Sequence, residues 1–208
     1  MPKVTQEQAN ARREEIINAC AKLYETTSFK DLTLKDIGKA TSFTRTSIYN
    51  YFQTKEEIFL ALLEREYDLW NADLSAVLNE NARLSADEFA DKLALSLSRR
   101  ERLLKLMSMN HYDMESSSRM ENLSRFKCAY GTSLRLVAAC LQKFFPAMSV
   151  GETQKFIYVF FPFMFGIYPY THVTEKQREA MKNAKAEYVF MSVYELTFSC
   201  VKNLLNRI

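Results

Sequence analysis

The sequence predicts an all-α fold of about nine helices, in which three N-terminal helices form a small head on a larger helical body. Only 4 Gly and 4 Pro occur in 208 residues, which is little material for the many turns of a β-rich fold. Hydrophobic residues make up 48% of the chain, which is enough for a substantial core. Ser and Thr residues that are followed three positions later by a polar side chain recur along the chain and mark helix starts.

The head begins with a helix over residues 6–27, opened by Thr5 with Gln8. An apolar stripe on this helix has the spacing of one helical face and predicts packing over the next two helices: Ile16, Ile17, Cys20, Leu23 and Tyr24. Three more pairs, each with a hydroxyl that can cap a helix, are Thr33 with Asp36, Thr44 with Ser47, and Thr54 with Glu57, the last a capping box. Starts about ten residues apart leave room for short helices of roughly seven residues and turns of about three, the layout of a helix-turn-helix.

The second short helix, which we call the recognition segment (residues 44–52), divides into two sides. A step of about 100° per residue places Ile48 and Phe52 together as anchors, while Arg45, Thr46, Tyr49 and Asn50 spread over the other side. No acidic residue occurs between Asp36 and Glu56, so a polyanion can approach this surface without meeting a carboxylate. The residue types favour DNA binding, and the alternative is an ordinary helical hairpin with a solvated polar face.

These residues resemble the TetR family of bacterial transcriptional regulators. The resemblance rests on Ile48-Tyr49, Phe52 and Lys55-Glu56-Glu57-Ile58, and it covers about the first 65 residues. Ser42 stands where family members usually have Gly, and Thr46 where they have a smaller residue. The resemblance implies a DNA-binding head over residues 1–55 and a helical effector-binding and dimerisation body over residues 56–208. It also implies a dimeric repressor that binds a palindromic operator in double-stranded DNA.

The predicted DNA-binding residues are Lys35, Arg45, Thr46, Tyr49, Asn50 and Lys55. The resemblance assigns Tyr49 and Lys55 mainly to phosphates, whereas Arg45 and Asn50 have side chains suited to base edges. The net charge is only +3, and residues 1–55 hold 9 Lys and Arg against 6 Asp and Glu, whereas residues 56–208 hold 19 of each. Such a small excess predicts weak nonspecific binding by one copy, and therefore favours a dimer.

The body is predicted from further start and stop signals. A fourth helix runs from Lys55 to about Leu78 and so links head and body. The remaining helices begin or run as follows: a fifth from Ser85, a sixth over residues 99–110, a seventh over residues 118–144, an eighth from Ser149, and a ninth from Thr174 to the C-terminus. Residues 110–118 can be helix or loop.

Two apolar segments of the body predict a dimer interface. The uncharged run 156–174 contains Pro162, Gly166 and Pro169, and its densest apolar part is too short for a membrane span, so we expect it to be buried. The last helix carries two apolar stripes, of which one needs a partner. In the resembling family the last two helices pair with their symmetry mates as a four-helix bundle. The predicted interface residues are Phe156, Phe190, Tyr194, Phe198, Val201 and Leu205.

The resemblance further implies an effector cavity in the body, with a ligand that weakens DNA binding through the fourth helix. Its predicted lining is aromatic and Met-rich, which suits a flat or flexible apolar ligand: Tyr67, Trp70, Met107, His111, Met114, Phe126, Tyr130, Tyr158, Phe161 and Phe165. The alternative is that these residues are plain core and that the protein binds DNA constitutively.

Other classes of function find less support in the sequence. It has no Gly-rich phosphate loop, nucleophile elbow or paired-cysteine motif, so an all-helical enzyme and a protein-interaction module are weaker alternatives. His111 and Glu115 could share a helix face, but a polar patch is the simpler interpretation than a metal site. The four cysteines are scattered, which favours buried thiols in a reducing compartment. We therefore predict a cytoplasmic protein without a cofactor, a bound metal or a membrane partner.

Overall fold

The computed structural model describes residues 5–109 and 111–206, except for the side chains of Arg45, His111 and Asp113. Every regular element in those two ranges is an α-helix, so the predicted all-α fold is confirmed. The helices are α1 (Gln6–Tyr24), α2 (Leu34–Lys39), α3 (Arg45–Ile48), α4 (Lys55–Glu80), α5 (Ala86–Ser98), α6 (Glu101–Met107), α7 (His111–Ser116), α8 (Met120–Phe144), α9 (Val150–Thr171), α10 (Glu175–Asn183) and α11 (Val193–Leu205).

The described ranges contain eleven helices instead of the predicted nine. Part of the stretch 110–118, where the sequence left helix and loop open, forms α7. The predicted ninth helix is divided into α10 and α11, because Lys185 adopts a left-handed φ of 52° and the amide of Ala186 closes the end of α10 on the carbonyl of Met181. Ser192 then opens α11 through a capping box with Glu195. This Ser-x-x-Glu pattern signals the break, which the apolar spacing of residues 190–208 conceals.

Most of the predicted helix starts are confirmed. A hydroxyl accepts the amide three residues later and a side chain returns the bond at Thr5, Thr33, Ser85, Ser149 and Thr174. Thr44 is different. The amide of Ser47 donates to the carbonyl of Thr44 at 2.8 Å, and the two hydroxyls contact each other at 3.1 Å. The prediction that the Thr44 hydroxyl caps α3 is therefore wrong.

The chain forms two compact units. Unit 1 consists of Met1–Arg65 and Asn110–Cys128, and unit 2 consists of Glu66–Met109 and Ala129–Ile208. Both α4 and α8 contribute residues to each unit. The predicted boundary after residue 55 does not coincide with this division, because the first turns of α4 belong to unit 1 together with α7 and the beginning of α8.

Unit 1 is built around the apolar face of α1. Ile16, Ile17 and Cys20 are fully buried, as the stripe predicts, and α2 packs against both α1 and α3. The ring of Phe59, in the first turns of α4, meets the rings of Tyr24 and Phe29 edge-on, with centroids 5.1 and 4.8 Å apart. Buried aliphatic side chains of α1 and aromatic side chains of α1, α4 and the loop after α1 thus form the core of unit 1, against which the helix-turn-helix packs.

Unit 2 is a helical core in which α11 packs against α5 and α9, and α6 packs against α9. Burial of Leu93, Leu97, Phe160 and Met164 gives the inner faces of α5 and α9. Helix α9 continues through Pro162 and Pro169, both of which lie on its exposed side.

No single helix among the described residues is long and apolar enough to cross a membrane. The pair α9 and α10, which is bent by 84°, reaches the required length and composition when the two helices are taken together.

Candidate nucleic-acid interface

The turn between α2 and α3 is held by an acidic side chain of α1. Glu15 accepts hydrogen bonds from both the amide and the hydroxyl of Ser42, the latter at 3.0 Å. The hydroxyl of Thr41 donates to the carbonyl of Gly38 at 2.9 Å. Ser42 adopts no left-handed backbone, since Lys185 has the single positive φ among the described non-glycine residues. Ser in place of the usual Gly is therefore compatible with this turn, and it supplies two hydrogen bonds to α1.

The recognition segment has the predicted two sides, although α3 itself spans only four residues. Ile48 and Phe52 are 0% exposed, and the amides of Tyr51 and Phe52 continue the turn by donating to the carbonyl of Ile48. Tyr49 is 46% exposed, and Thr46 and Asn50 are exposed with it. Apolar anchors below and uncharged polar groups above are what a DNA-reading helix requires. The predicted base-reading side chain of Arg45 lies outside the described residues.

The electrostatics of this surface are set by α2 and the turn. Lys35 and Lys39 are exposed on α2. The nearby carboxylate of Asp36 accepts the hydroxyl of Thr33 at 2.5 Å and its amide at 3.2 Å, and the side-chain hydrogen bond is the main cause that lowers the pKa of Asp36. The one carboxylate on α2 is thus directed to the start of its own helix, where a negative charge is favourable.

Lys55 has a different environment from the one that the family resemblance implies. Its ammonium donates to the carbonyls of Phe29, Lys30 and Leu32 at 2.8, 3.4 and 3.1 Å, and it lies 4.5 Å from the centre of the Phe29 ring. An ammonium has three donors, and three carbonyls occupy them here. In this arrangement Lys55 joins the start of α4 to the loop between α1 and α2.

Glu57 is a second residue with several fixed contacts, although the sequence predicts only its part in a helix cap and in the motif of the resembling family. Its side chain is 1% exposed and accepts the amide of Gln53 at 2.7 Å, the amide of Arg119 at 3.0 Å, and the guanidinium of Arg119 at 2.7 and 2.9 Å. Burial raises the pKa of Glu57, but the bonds from Arg119 and Gln53 outweigh it and lower the pKa to about 2. The Thr54 hydroxyl accepts the Glu57 amide at 3.2 Å, but the carboxylate returns its bond to Gln53 rather than to Thr54, so the predicted box is corrected here.

Four of the predicted effector residues form one group in unit 2, which we call the aromatic cluster: Tyr67, Trp70, Tyr130 and Phe161. Their rings contact in a closed cycle, with centroid distances of 6.4, 6.0, 5.6 and 5.6 Å in the order Tyr67–Trp70, Trp70–Phe161, Phe161–Tyr130 and Tyr130–Tyr67. The indole Nε1 of Trp70 donates to the hydroxyl of Ser96 at 3.1 Å.

The other predicted effector residues are divided. Met107 is buried and Phe165 is partly exposed in unit 2, while Met114 and Phe126 are buried in unit 1. Tyr158 is 75% exposed, so its assignment to an internal cavity is corrected, because it lies on the outer side of α9. The side chain of His111 lies outside the described residues.

Two cavities of unit 2 have linings that differ from the predicted effector set. One of about 210 Å³ is lined by Asp73, Ala76, Val77, Glu80, Asn81, Lys92, Leu95, Ser96 and Arg99. Another of about 260 Å³ is lined by Ser98, Glu101, Thr171, His172, Ser192, Val193 and Tyr194. Ser96 borders the first cavity and accepts the Trp70 indole, so this cavity adjoins the aromatic cluster.

The predicted dimer residues also divide. Phe156 and Val201 are buried inside unit 2, so their assignment to an interface is corrected. Phe190 lies under the guanidinium of Arg178, and Tyr194, Phe198 and Leu205 are partly exposed on α11. The exposed apolar side of α9, which we call the α9 stripe, consists of Tyr158, Val159, Pro162, Gly166, Pro169 and Tyr170.

Comparison with protein-family models places both parts of the chain. Residues 16–62 match the model described as "Bacterial regulatory proteins, tetR family". Residues 64–196 match the model described as "Tetracyclin repressor-like, C-terminal domain".

Individual relatives agree with the family models. An uncharacterized HTH-type transcriptional regulator of Bacillus subtilis, YfiR, is 32% identical over 98 residues, which are 46% of this chain and 47% of that protein. The chain thus spans about half the length of the curated relatives it matches. A crystal structure of a TetR-family transcriptional regulator of Mesorhizobium loti, described there as putative, matches with a TM-score of 0.61 and 16% identity over 96% of this chain and 98% of that one. The regulator FadR from Bacillus subtilis, solved in complex with stearoyl-CoA, matches with a TM-score of 0.59 and 17% identity over 94% and 98% of the chains. At these identities the two structures show the shared fold.

Proposed function

Because the chain belongs to the tetR family of bacterial regulatory proteins, we propose that it is a ligand-responsive transcriptional repressor. It binds a palindromic operator as a homodimer and is released from DNA by a small molecule. The two-fold symmetry of a dimer is mirrored in the two half-sites of such an operator.

The division of the recognition segment carries this proposal. Ile48 and Phe52 are fully buried while Tyr49, Thr46 and Asn50 are exposed, so the polar side of the segment faces solvent over a buried support. A solvated hairpin has no need of the carboxylate-free stretch over residues 37–55, whereas a phosphate backbone repels every carboxylate that it meets.

We assign roles to the predicted DNA-binding residues by their chemistry. Lys35 and Tyr49 bind phosphates, Asn50 and Arg45 read base edges, and Thr46 contacts either. We do not assign Lys55 to a phosphate, because its ammonium donates to three backbone carbonyls. We propose instead that it keeps the α1–α2 loop in register with α4.

Selection of genomic fragments by the purified protein tests the function. We expect enrichment of one palindromic sequence. Asn50→Ala relaxes preference at one position of each half-site by about 1–3 kcal/mol. Lys35→Ala weakens all sequences alike and reduces the slope of the salt dependence by about 1, whereas Lys182→Ala on the exposed helix α10 changes neither. If no palindromic sequence is enriched, the assignment of base-reading residues fails.

The dimer uses the α9 stripe together with the partly exposed side chains of α11. Tyr158, Val159 and Pro162 place a continuous apolar surface in solvent, which a second copy covers across a two-fold axis. Sedimentation of the unmodified protein at micromolar concentration tests this. A stable monomer contradicts it.

The effector is a molecule with an apolar part that binds in unit 2 beside the aromatic cluster and a polar part that suits the charged lining of the adjoining cavity. The fold neighbour in complex with stearoyl-CoA makes a long-chain acyl-CoA the first compound to test. Trp70 is the single tryptophan of the sequence, so its fluorescence reports binding. Ligand and DNA are linked through α4, which carries Lys55 in unit 1 and Trp70 in unit 2, and a coupling of about 1–3 kcal/mol lowers operator affinity about 5–150-fold.

The alternative is a constitutive DNA binder whose aromatic cluster is only core. The four rings of the aromatic cluster contact one another in a closed cycle, as the side chains of a packed core do, and this supports the alternative more than the sequence alone does. Calorimetry separates the two. A compound that saturates unit 2 but leaves operator affinity unchanged has no coupling, and a compound that shifts Trp70 fluorescence and releases DNA over one concentration range is an effector.

A further inference from the structure

The junction between α7 and α8 contacts the loop that follows the recognition segment. We infer that Arg119, at this junction, is a positioning residue for the DNA-contacting surface: through Glu57 it fixes the loop 51–54, and the α7–α8 junction thereby sets operator affinity. This inference rests on the proposed DNA-binding function.

Two direct contacts and one bridge through Glu57 join the junction to the loop, and all lie within unit 1. One guanidinium nitrogen of Arg119 donates both to Glu57 and to the carbonyl of Tyr51, at 2.9 and 3.0 Å. The hydroxyl of Thr54 donates to the carbonyl of Ser117 at 3.0 Å. The carboxylate of Glu57 connects them, because it also accepts the amide of Gln53 at 2.7 Å.

These contacts matter for DNA binding because the loop 51–54 directly follows the exposed residues of the recognition segment. Tyr51 follows the exposed Tyr49 and Asn50 directly, and Phe52 is the buried anchor of the same segment. A loop whose carbonyl at 51 and amide at 53 are both bonded to one Glu–Arg pair cannot change its path without breaking charge-assisted hydrogen bonds. The Glu57 carboxylate of this pair is buried, whereas the Arg119 side chain is 41% exposed. The pair therefore fixes the direction in which the polar side of the recognition segment points.

A second ion pair, which joins α8 itself to α4, provides a control. Arg125 of α8 donates to Glu64 of α4 at 3.1 and 3.2 Å, again within unit 1. Among the described residues, neither Arg125 nor Glu64 hydrogen-bonds to the loop 51–54, and both lie farther from this loop along the chain than the first pair. Glu64 also pairs with Arg13, whose guanidinium lies 5.3 Å from the centre of the Phe52 ring, so the control substitution is made at Arg125. A role that consists only in holding α8 against α4 predicts similar effects for the two pairs, whereas positioning of the loop predicts an effect for the first pair alone.

Hydrogen exchange of the full-length, DNA-free protein tests the first step. Arg119→Lys keeps the charge but loses the planar fork, and Arg125→Lys makes the same change at the control pair. Glu57→Gln keeps the size of the side chain and removes its charge. We expect exchange of the amides of residues 51–54 to accelerate about tenfold or more in Arg119→Lys and Glu57→Gln, and to stay unchanged in Arg125→Lys. Unchanged exchange in both test variants, or equal acceleration in all three, overturns the inference.

Operator binding tests the second step on the same variants. We expect the dissociation constant of the selected operator to rise about tenfold or more for Arg119→Lys and less than about twofold for Arg125→Lys, at equal thermal stability. If the amides of residues 51–54 exchange faster but operator affinity is unchanged, then Arg119 does not set operator affinity. If the unmodified protein selects no operator, the proposed function fails, and the exchange data still decide whether Arg119 fixes the loop.

Discussion

The recognition segment and the α9 stripe each expose an aromatic side chain to solvent, and the opposite side of each element is formed by buried apolar side chains. Tyr49 is 46% exposed over Ile48 and Phe52, and Tyr158 is 75% exposed on the helix that buries Phe160 and Phe161. Exposure and periodicity are therefore alike in the two regions. Their neighbours differ, since the exposed residues next to Tyr49 in the chain are polar and uncharged, whereas the exposed residues that share the α9 stripe with Tyr158 are valine, prolines, glycine and tyrosine.

The neighbours of an exposed aromatic ring, rather than its exposed fraction, therefore indicate which kind of partner the surface binds. A polar surface without carboxylates can exchange its water for phosphate oxygens and base edges. An apolar surface gains free energy when another apolar surface removes it from water. Four pairs of substitutions test these two regions and the residues that support them.

The largest effect is expected at the α9 stripe. Tyr158→Glu places a carboxylate in the proposed interface twice, and an unpaired buried charge costs at least about 3 kcal/mol in each copy. Val150→Glu is the control, because Val150 is also 75% exposed but lies off the stripe, at the start of α9. Sedimentation equilibrium should show monomers for the first variant and dimers for the second. Dimers of equal stability for both variants contradict an interface on this side of α9.

The second effect contrasts anchor and surface within the recognition segment. Phe52→Ala should lower the free energy of unfolding by about 3–5 kcal/mol, because it empties a fully buried site. Tyr49→Ala should change it by less than about 0.5 kcal/mol but weaken DNA binding. Denaturant titration and operator titration of both variants measure the two quantities. Normal operator affinity in Tyr49→Ala removes this residue from the DNA surface.

The sequence predicted the recognition segment well because local rules decide it. The spacing of Ile48 and Phe52 and the absence of acids are properties of neighbouring residues. The predicted hydroxyl cap at Thr44 was the exception and was wrong. Contacts distant in sequence were beyond those rules. Lys55 bonds to carbonyls that precede it by 23 to 26 positions, and Arg119 reaches a carboxylate 62 positions away.

The body shows the same limit more strongly. Apolar periodicity identifies the buried stripe of a helix, but it does not say whether the stripe faces its own chain or a second copy. Phe156 and Val201 were therefore assigned to the dimer although α9 and α11 pack against other helices of unit 2. The family resemblance placed ten residues around one predicted cavity, and the rings of four of them contact each other in the structure. Periodicity accounts for Tyr67 and Trp70 alone, because side chains three positions apart on α4 share a face.

A third, smaller effect is expected where a buried ring meets a polar partner. Ser96→Ala removes the acceptor of the Trp70 indole and leaves a buried N–H unpaired, which should cost about 1–3 kcal/mol and shift the tryptophan emission. Ser98→Ala is the matched control. Both serines donate to the carbonyl three residues earlier, but Ser98 is exposed. Thermal unfolding and fluorescence should change in the first variant alone, and equal shifts in both contradict a specific role for the Ser96 hydroxyl.

The smallest effect separates two threonines beside the DNA surface. Thr33→Ala removes a capping hydroxyl that accepts the Asp36 amide at 3.3 Å, and it should lower the free energy of unfolding by about 1 kcal/mol. Thr44→Ala should cost only a few tenths of that value, because the Thr44 hydroxyl contacts another hydroxyl and the helix closes on the Thr44 carbonyl instead. Both side chains are exposed, so neither substitution empties a core site. Denaturant titrations at one temperature compare the variants, and an equal loss for both means that Thr44 caps α3 in solution after all. A loss of operator affinity in Thr44→Ala without a loss of stability instead identifies its hydroxyl as a DNA contact, since a group that does little for the helix remains available to a phosphate.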